Sequence, residues 1–292
     1  MAAHYEKELE DVPNAKSSAR GPAPLFRLML PGTPIFNYHG LAESVPQDVS
    51  FAARRFWLSP TKFRAQLAHI RERGFRVSLL DDLNDRAVGP VPKLPAVILT
   101  FDDGLITDYE IAFPLLAEFG CRAVFFLNTA TIGQAGYLDW TKIVEMQRNG
   151  MSFQSHSHRH VDLTVLPTPA LDAELTESKR RLEDRLGSRV DFLAAPHGVL
   201  NRRVVRRALG VGYRAVCSTR CWPARPGSTI LTRITLRRDV QIEEFHGFLT
   251  GELWPYARRL SSGLLHRPLA IAGHLCRVLR YRWLKQPATV SK

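Results

Sequence analysis

Short apolar runs that end in polar residues alternate with amphipathic stretches along most of the chain. Residues 34–39 (PIFNYH) read as a short buried strand whose end turns polar. Ser59 followed by Pro60 opens a helix through Gly74, with Phe63, Leu67 and Ile70 on its apolar side. Residues 75–80 and 95–101 are strand-like, and Asp102-Asp103-Gly104 breaks the second run. A helix over 108–119 closes at Gly120. The alternation then repeats: strand 122–128, helix 140–149 stopped by Gly150, strand 151–155, helix 171–186 capped by Gly187, strand 192–195, helix 202–209 and strand 215–218. Residues 1–31 read as a flexible arm and 41–57 as a loop. Strands and helices joined by short connections predict a parallel α/β sheet or barrel. The polar motifs fall at the C-terminal ends of the strands, where such folds build their sites.

Composition permits a full core: 45% of the 292 residues are hydrophobic and 23% charged. The net charge of +12 is unevenly spread. Residues 252–292 carry eight Lys and Arg against the single acid Glu252, more than half of the excess. No zinc-finger spacing, RNP-like aromatic pattern or helix-turn-helix signature accompanies the charge, so no nucleic-acid partner is expected. Cys217 and Cys221 are four apart, and no second close pair completes a structural zinc site. The first residues have no apolar signal region, and no apolar run reaches the ~18 residues of a membrane span. The expectation is a cytoplasmic protein with reduced thiols.

Two polar motifs carry the chemistry. Asp102 and Asp103 follow an apolar strand, and two adjacent carboxylates there need a cation to face them or a turn-and-cap role to explain them. Because neighbouring side chains diverge, one can bind a metal while the other holds a water. Ser155-His156-Ser157-His158-Arg159-His160 places three imidazoles in five positions, and one helical turn would set His156 and His160 on one face. With Asp103 they would make three ligands and leave a position open, the layout of a catalytic metal site.

The chain resembles the polysaccharide deacetylase family, the NodB-homology group of carbohydrate esterases, from about residue 34 to 251. The likeness rests on YHG at 38–40, TFDDG at 100–104, LDW at 138–140, the H-S-x-x-H pattern at 156–160 and PHG at 196–198. It implies an incomplete, distorted (β/α)7 barrel and metal-dependent hydrolysis of an N-acetyl group from an amino sugar. It implies Asp102 as general base and Asp103, His156 and His160 as ligands of one divalent ion; the donor types lead to the expectation of zinc, with cobalt, nickel and iron as alternatives. Tyr38, Trp140, Pro196 and His197 would line the sugar site.

Family members often carry an arginine two residues before the Pro of the third motif, paired with the base. Here Ala194 stands at that place, as an aliphatic or small residue does in the exopolysaccharide-associated branch, but Ala195 and His197 replace that branch's two tyrosines. What holds Asp102 is therefore left open. The general acid is His39, by likeness to that branch, or His197. The expected partition is an arm (1–31), a catalytic domain (32–251) and a basic helical tail (252–292), with 252–285 a candidate for contact with the inner face of an anionic membrane. The partner is an N-acetylated carbohydrate that is polymeric, oligomeric or lipid-linked. Rival readings are a related metal-dependent amidohydrolase on another substrate and a non-catalytic carbohydrate-binding relative.

Overall fold

Nine strands and nine α-helices are found among the described residues of a computed structural model, which covers 29–47, 49–85 and 95–264, without the side chains of 84, 85 and 261–264. In chain order they are β1 (Ile35–Tyr38), α1 (Phe51–Arg54), α2 (Pro60–Glu72), β2 (Arg76–Ser78), α3 (Leu80–Asp85), β3 (Ala96–Asp103), α4 (Phe113–Glu118), β4 (Val124–Leu127), α5 (Trp140–Arg148) and β5 (Ser152–Ser155). There follow α6 (Thr168–Leu186), β6 (Phe192–Ala194), α7 (Arg202–Val211), β7 (Ala215–Ser218), β8 (Ile230–Thr232), β9 (Ile234–Thr235), α8 (Ile242–Thr250) and α9 (Leu253–Leu264).

The strands lie in the order β8-β7-β6-β5-β4-β3-β1-β9, with β2 added beside the start of β3, and every pairing is parallel. β8 and β9 are successive pieces of one run. The first pairs with β7 and the second with β1, so this run seams the two edges of the sheet. At the junction Arg233 N donates to Ser218 O (3.0 Å), and Leu236 N then donates to Asn37 O (2.9 Å). The result is a parallel sheet nearly closed into a barrel with helices outside, as the sequence pattern implies. Strands buried on both faces read as continuous apolar runs, which is why β1, β4 and β7 are buried throughout.

Alternation within the strands decides what reaches the interior. Tyr38, Phe101, Phe125 and Phe153 stack ring on ring across β1, β3, β4 and β5, at 5.0, 5.0 and 5.5 Å between centroids. They face the helical layer, where Phe63 of α2 meets Tyr38 and Phe101 edge-on. Successive residues point to opposite faces, so Thr100 and Asp102 point into the barrel. The register pairs Tyr38 with Phe101, which brings His39 level with Asp102.

Several boundaries differ from the sequence expectation. β3 continues through both aspartates instead of breaking before them. The 108–119 helix begins as a π-helical turn, Asp108–Ala112, and becomes α-helical at the junction holding Pro114, which has no N–H to give. The 41–57 stretch contains α1 and a Leu41–Leu58 bridge. The division at 251/252 does not separate two units: α9 packs on α8 through fully buried Tyr256, whose hydroxyl donates to Phe248 O (3.0 Å), and Arg259 donates to Glu244 (3.2 Å). At the other end Leu30 is buried and its N–H donates to Gly251 O (2.7 Å). The arm at 1–28 and the tail at 265–292, which holds 265–285 of the stretch 252–285 given the membrane reading, lie outside the described residues.

Candidate active site

Asp102, 2% exposed, reaches into the barrel from β3. A buried carboxylate must be neutralised or paired. Arg233, fully buried at the seam between β8 and β9, meets it with both arms of its guanidinium: Nη1 to Oδ1 at 2.6 Å and Nη2 to Oδ2 at 2.8 Å. Nη1 also donates to Thr100 Oγ1 (3.2 Å), and the guanidinium lies over the Phe126 ring, 5.1 Å from its centroid. Burial works against the charged carboxylate, but the Arg233 charge outweighs it with help from His156, and holds Asp102 well below the usual carboxylate range. Arg233 thus fills the role for which the third motif offers only Ala194.

Asp103, the last residue of β3, and His156 and His160, on the irregular turn after β5, converge with their ligand atoms all within 4.8 Å of one another. Asp103 Oδ1 is 3.5 Å from His156 Nε2 and 3.4 Å from His160 Nε2. Two ligands each about 2.0–2.1 Å from a tetrahedral ion stand about 3.4 Å apart, so the set fits a divalent cation. The donor chemistry fits as well. His156 Nδ1 lies 2.8 Å from Ala194 O, which fixes the proton there and leaves Nε2 with its lone pair toward Asp103. Burial, then the neighbouring His156, push His160 down to about 4, so its imidazole is neutral at physiological pH.

The backbone is bent to make this set. Asp103 (φ 81°), Ser157 (φ 68°), His160 (φ 58°) and His197 (φ 58°) are the positive-φ non-glycine residues among those described, and all four stand at this site. Each costs on the order of 1–3 kcal/mol and persists because its surroundings impose it. His156 and His160 meet across an irregular turn, not along the helical turn that their spacing suggested. The turn is held from behind by Glu174 of α6, 1% exposed, whose Oε2 accepts from His158 N (3.0 Å) and Arg159 N (2.9 Å) and whose Oε1 accepts from Arg159 Nε (2.6 Å). From within, Ser157 Oγ accepts from His160 N at 3.2 Å.

Of the other expected residues, His39 stands at the end of β1, stacked on Phe56 at 5.2 Å, with its buried Nδ1 unpartnered. His197 is exposed on the rim, its ring 4.7 Å from that of His160. It shares a 3-10 turn with buried Pro196 and with Gly198 (φ 69°), where a Cβ would fall 1.9 Å from Thr219 Oγ1. One expectation is corrected. Tyr38 is 1% exposed among the core rings and donates to Gln66 (2.9 Å) on the helical side of the sheet, so it cannot line a sugar pocket. Trp140 opens α5, and its ring receives Arg185 of α6 in a depression shared with Arg180, Arg181 and Asp184.

Arg233, Glu174 and Asp108 were not singled out in the sequence. Glu174 had a signal: it is the one acid in the apolar stripe of Leu171, Leu175 and Leu182. Asp108 lies fully buried on the π-helical turn with neither carboxylate oxygen hydrogen-bonded. Burial, then the charges of Asp103 and Asp102, raise its carboxyl well above the usual range.

The family model described as polysaccharide deacetylase matches residues 91–216. The Bacillus subtilis (strain 168) protein YxkH is 25% identical over 190 residues, covering 64% of each chain. The poly-beta-1,6-N-acetyl-D-glucosamine N-deacetylase of Staphylococcus epidermidis is 23% identical over 242 residues, 73% of this chain and 82% of that one. A chitin deacetylase of Pestalotiopsis is 29% identical over 119 residues, which is 39% of its length. This chain thus spans less than two thirds of YxkH and of the Pestalotiopsis enzyme. Among solved structures, the Streptococcus pyogenes deacetylase PplD in complex with acetate superposes with a TM-score of 0.70 at 25% identity, over 76% of this chain and 99% of that one. IcaB from Ammonifex degensii, at 22% identity and a TM-score of 0.64, shares the fold over 77% of this chain and 97% of its own.

Proposed function

We propose that this chain, which belongs to the polysaccharide deacetylase family, hydrolyses the acetamide of an N-acetylated amino sugar and releases acetate. The glycan is a polysaccharide, an oligosaccharide or a lipid-linked precursor. One observation carries the reading: a carboxylate and two imidazoles converge within 4.8 Å, beside a second carboxylate tied to an arginine and left out of the ligand set.

Asp103 Oδ1 and the Nε2 atoms of His156 and His160 would hold the ion, which when bound supplies Lewis acidity toward an acyl oxygen and toward water; zinc, cobalt, nickel and iron all suit these donors. Asp102 takes the proton of the attacking water. Its Oδ2, 3.9 Å from His156 Nε2, is the oxygen nearer the ligand set, and the Arg233 fork fixes its direction. The same fork keeps Asp102 ionised, and therefore ready to accept, throughout the neutral range. As the C–N bond breaks, protonated His39 gives its proton to the nitrogen, so the amine leaves neutral. Pro196 and His197 shape the rim over which the sugar enters.

The test is acetate release from N-acetylglucosamine oligomers and lipid-linked amino sugars, with and without chelator. Asp102→Asn is expected to retain the ion and lose release by about 10²–10⁴-fold, the range of general-base catalysis. His156→Ala is expected to lose both. Near-normal release by Asp102→Asn would refute the assignment of the base, and no release from any acetamide by the ion-loaded protein would refute the function.

A further inference from the structure

Helix α7 carries two stripes of arginine with different fates. Arg203 and Arg207 are engaged: Arg203 donates to Thr164 O (3.1 Å) and Leu166 O (2.6 Å), and Arg207 grips both oxygens of Asp172. Arg202 and Arg206 form the neighbouring stripe. Both are exposed, and neither pairs with a carboxylate among the described residues; the same holds for exposed Arg220, just past the end of β7. The three arginines line one open groove of about 530 Å³ with Val205, Leu209 and Ile230, and no acidic residue contributes to its walls. Leu209 and Ile230 are 36% and 39% exposed.

Three local costs coincide here. Arg202 stands at the first position of α7, whose first turn holds no acid, so a cation sits at the positive end of the helix dipole. Arg202 and Arg206 are like charges one turn apart, which disfavours the helix further. The aliphatic side chains beside them stay wet. A phosphate relieves the first two costs by accepting from the guanidinium groups, and an attached hydrocarbon relieves the third. A groove of this size falls in the range of small-molecule sites, about 300–1,000 Å³.

We propose that this groove binds the phosphate head and first methylenes of an anionic phospholipid in a bilayer, and so docks the barrel on a membrane surface beside its rim. Groove residues Leu200 and Asn201 closely follow His197 in the chain, so a docked protein holds its candidate site next to the lipid face. The apolar half of the groove decides between lipid and nucleic acid, because a phosphodiester backbone offers nothing to cover Leu209 and Ile230.

The full-length protein is sedimented with phosphatidylcholine vesicles, with and without phosphatidylglycerol, at about 0.1 M salt. Partitioning is expected to require phosphatidylglycerol. The triple variant Arg202→Gln, Arg206→Gln, Arg220→Gln is expected to lose about a hundredfold in partitioning, while the corresponding Lys variant stays within about threefold. Leu209→Asn with Ile230→Thr is expected to weaken vesicle binding and leave binding to a single-stranded polynucleotide unchanged. A loss below tenfold in the Gln variant overturns the proposal, as does an apolar double variant with undiminished partitioning. So does a Gln variant that loses polynucleotide binding but keeps its vesicles, or displacement of the wild type from vesicles by millimolar inorganic phosphate.

Discussion

Arg233 and Asp102, far apart in sequence, form a two-pronged ion pair inside the barrel, with contacts of 2.6 and 2.8 Å. The cation comes from the run that seams the sheet, so closing the barrel and orienting the Asp102 carboxylate are one structural event. Arg233→Met removes the partner and leaves a buried carboxylate, at an expected cost of about 3–5 kcal/mol. Arg233→Lys keeps a charge without the fork and should cost less. Asp102 is depressed in the folded state, so its contribution is present above the unfolded carboxyl value of about 3.9 and fades as pH falls toward the lower folded value. Urea unfolding should therefore show a penalty for Arg233→Met that is full at pH 7, begins to fall below about pH 4 and keeps shrinking as pH drops further. A penalty independent of pH would mean that Arg233 acts only through packing.

The second carboxylate problem has the opposite sign. Asp108 is buried without a hydrogen-bond partner, and burial, with Asp103 and Asp102 nearby, raises its carboxyl. A raised acid leaves the folded protein at full stability below about pH 3.9 and weakens it as pH climbs. Asparagine mimics the neutral acid. In chelator-treated protein, Asp108→Asn should therefore be more stable by about 1–3 kcal/mol at pH 8 and nearly unchanged at pH 4. Lower stability of the variant at pH 8 would show that Asp108 is charged and paired.

The identity of the proton donor can be decided by leaving group. His39 is level with Asp102 and has an unsatisfied buried nitrogen, whereas His197 is exposed on the rim. His39→Gln should lower acetate release from an amino sugar by about 10²–10⁴-fold yet largely spare an aryl acetate, whose leaving group needs no proton. His197→Ala should cost less than about tenfold on both substrates. The reverse pattern would transfer the role to His197.

The contrast between these residues shows what the sequence could disclose. The convergence of Asp103, His156 and His160 was legible because their types are rare together and their two motifs each follow an apolar run, so strand ends and candidate ligands were read from the same signal. The geometry joining the histidines was not legible. Spacing suggested a helical turn, and nothing local announces that Ser157 and His160 adopt left-handed backbone under restraint from a distant helix. β8 and β9 were missed because three and two residues carry too little periodicity, and their partners β7 and β1 lie far from each other in the chain. Arg233 was missed with them, since its meaning comes only from the sheet's closure. Tyr38 was misplaced by the resemblance, though strand alternation from His39 already put it on the other face.

Glu174 offers a prediction that separates holding the ion from catalysis. Its carboxylate takes the backbone N–H groups of His158 and Arg159 and the Arg159 side chain, and thereby fixes the turn between His156 and His160. Glu174→Gln keeps the size but gives up the charge, and each charge-assisted bond is worth about 1.5–3 kcal/mol. His160, at φ 58° and partly exposed, would then relax toward ordinary backbone, because Ser157 Oγ alone restrains its N–H. Loss of such support behind metal ligands typically costs about 10–100-fold in affinity. Chelator competition should therefore show a weaker ion in Glu174→Gln, while saturating ion restores near-normal turnover, since Asp102 and Arg233 are untouched. Unchanged affinity together with reduced stability would show that the bonds from Thr129 and Ala130 to the same turn suffice to hold it.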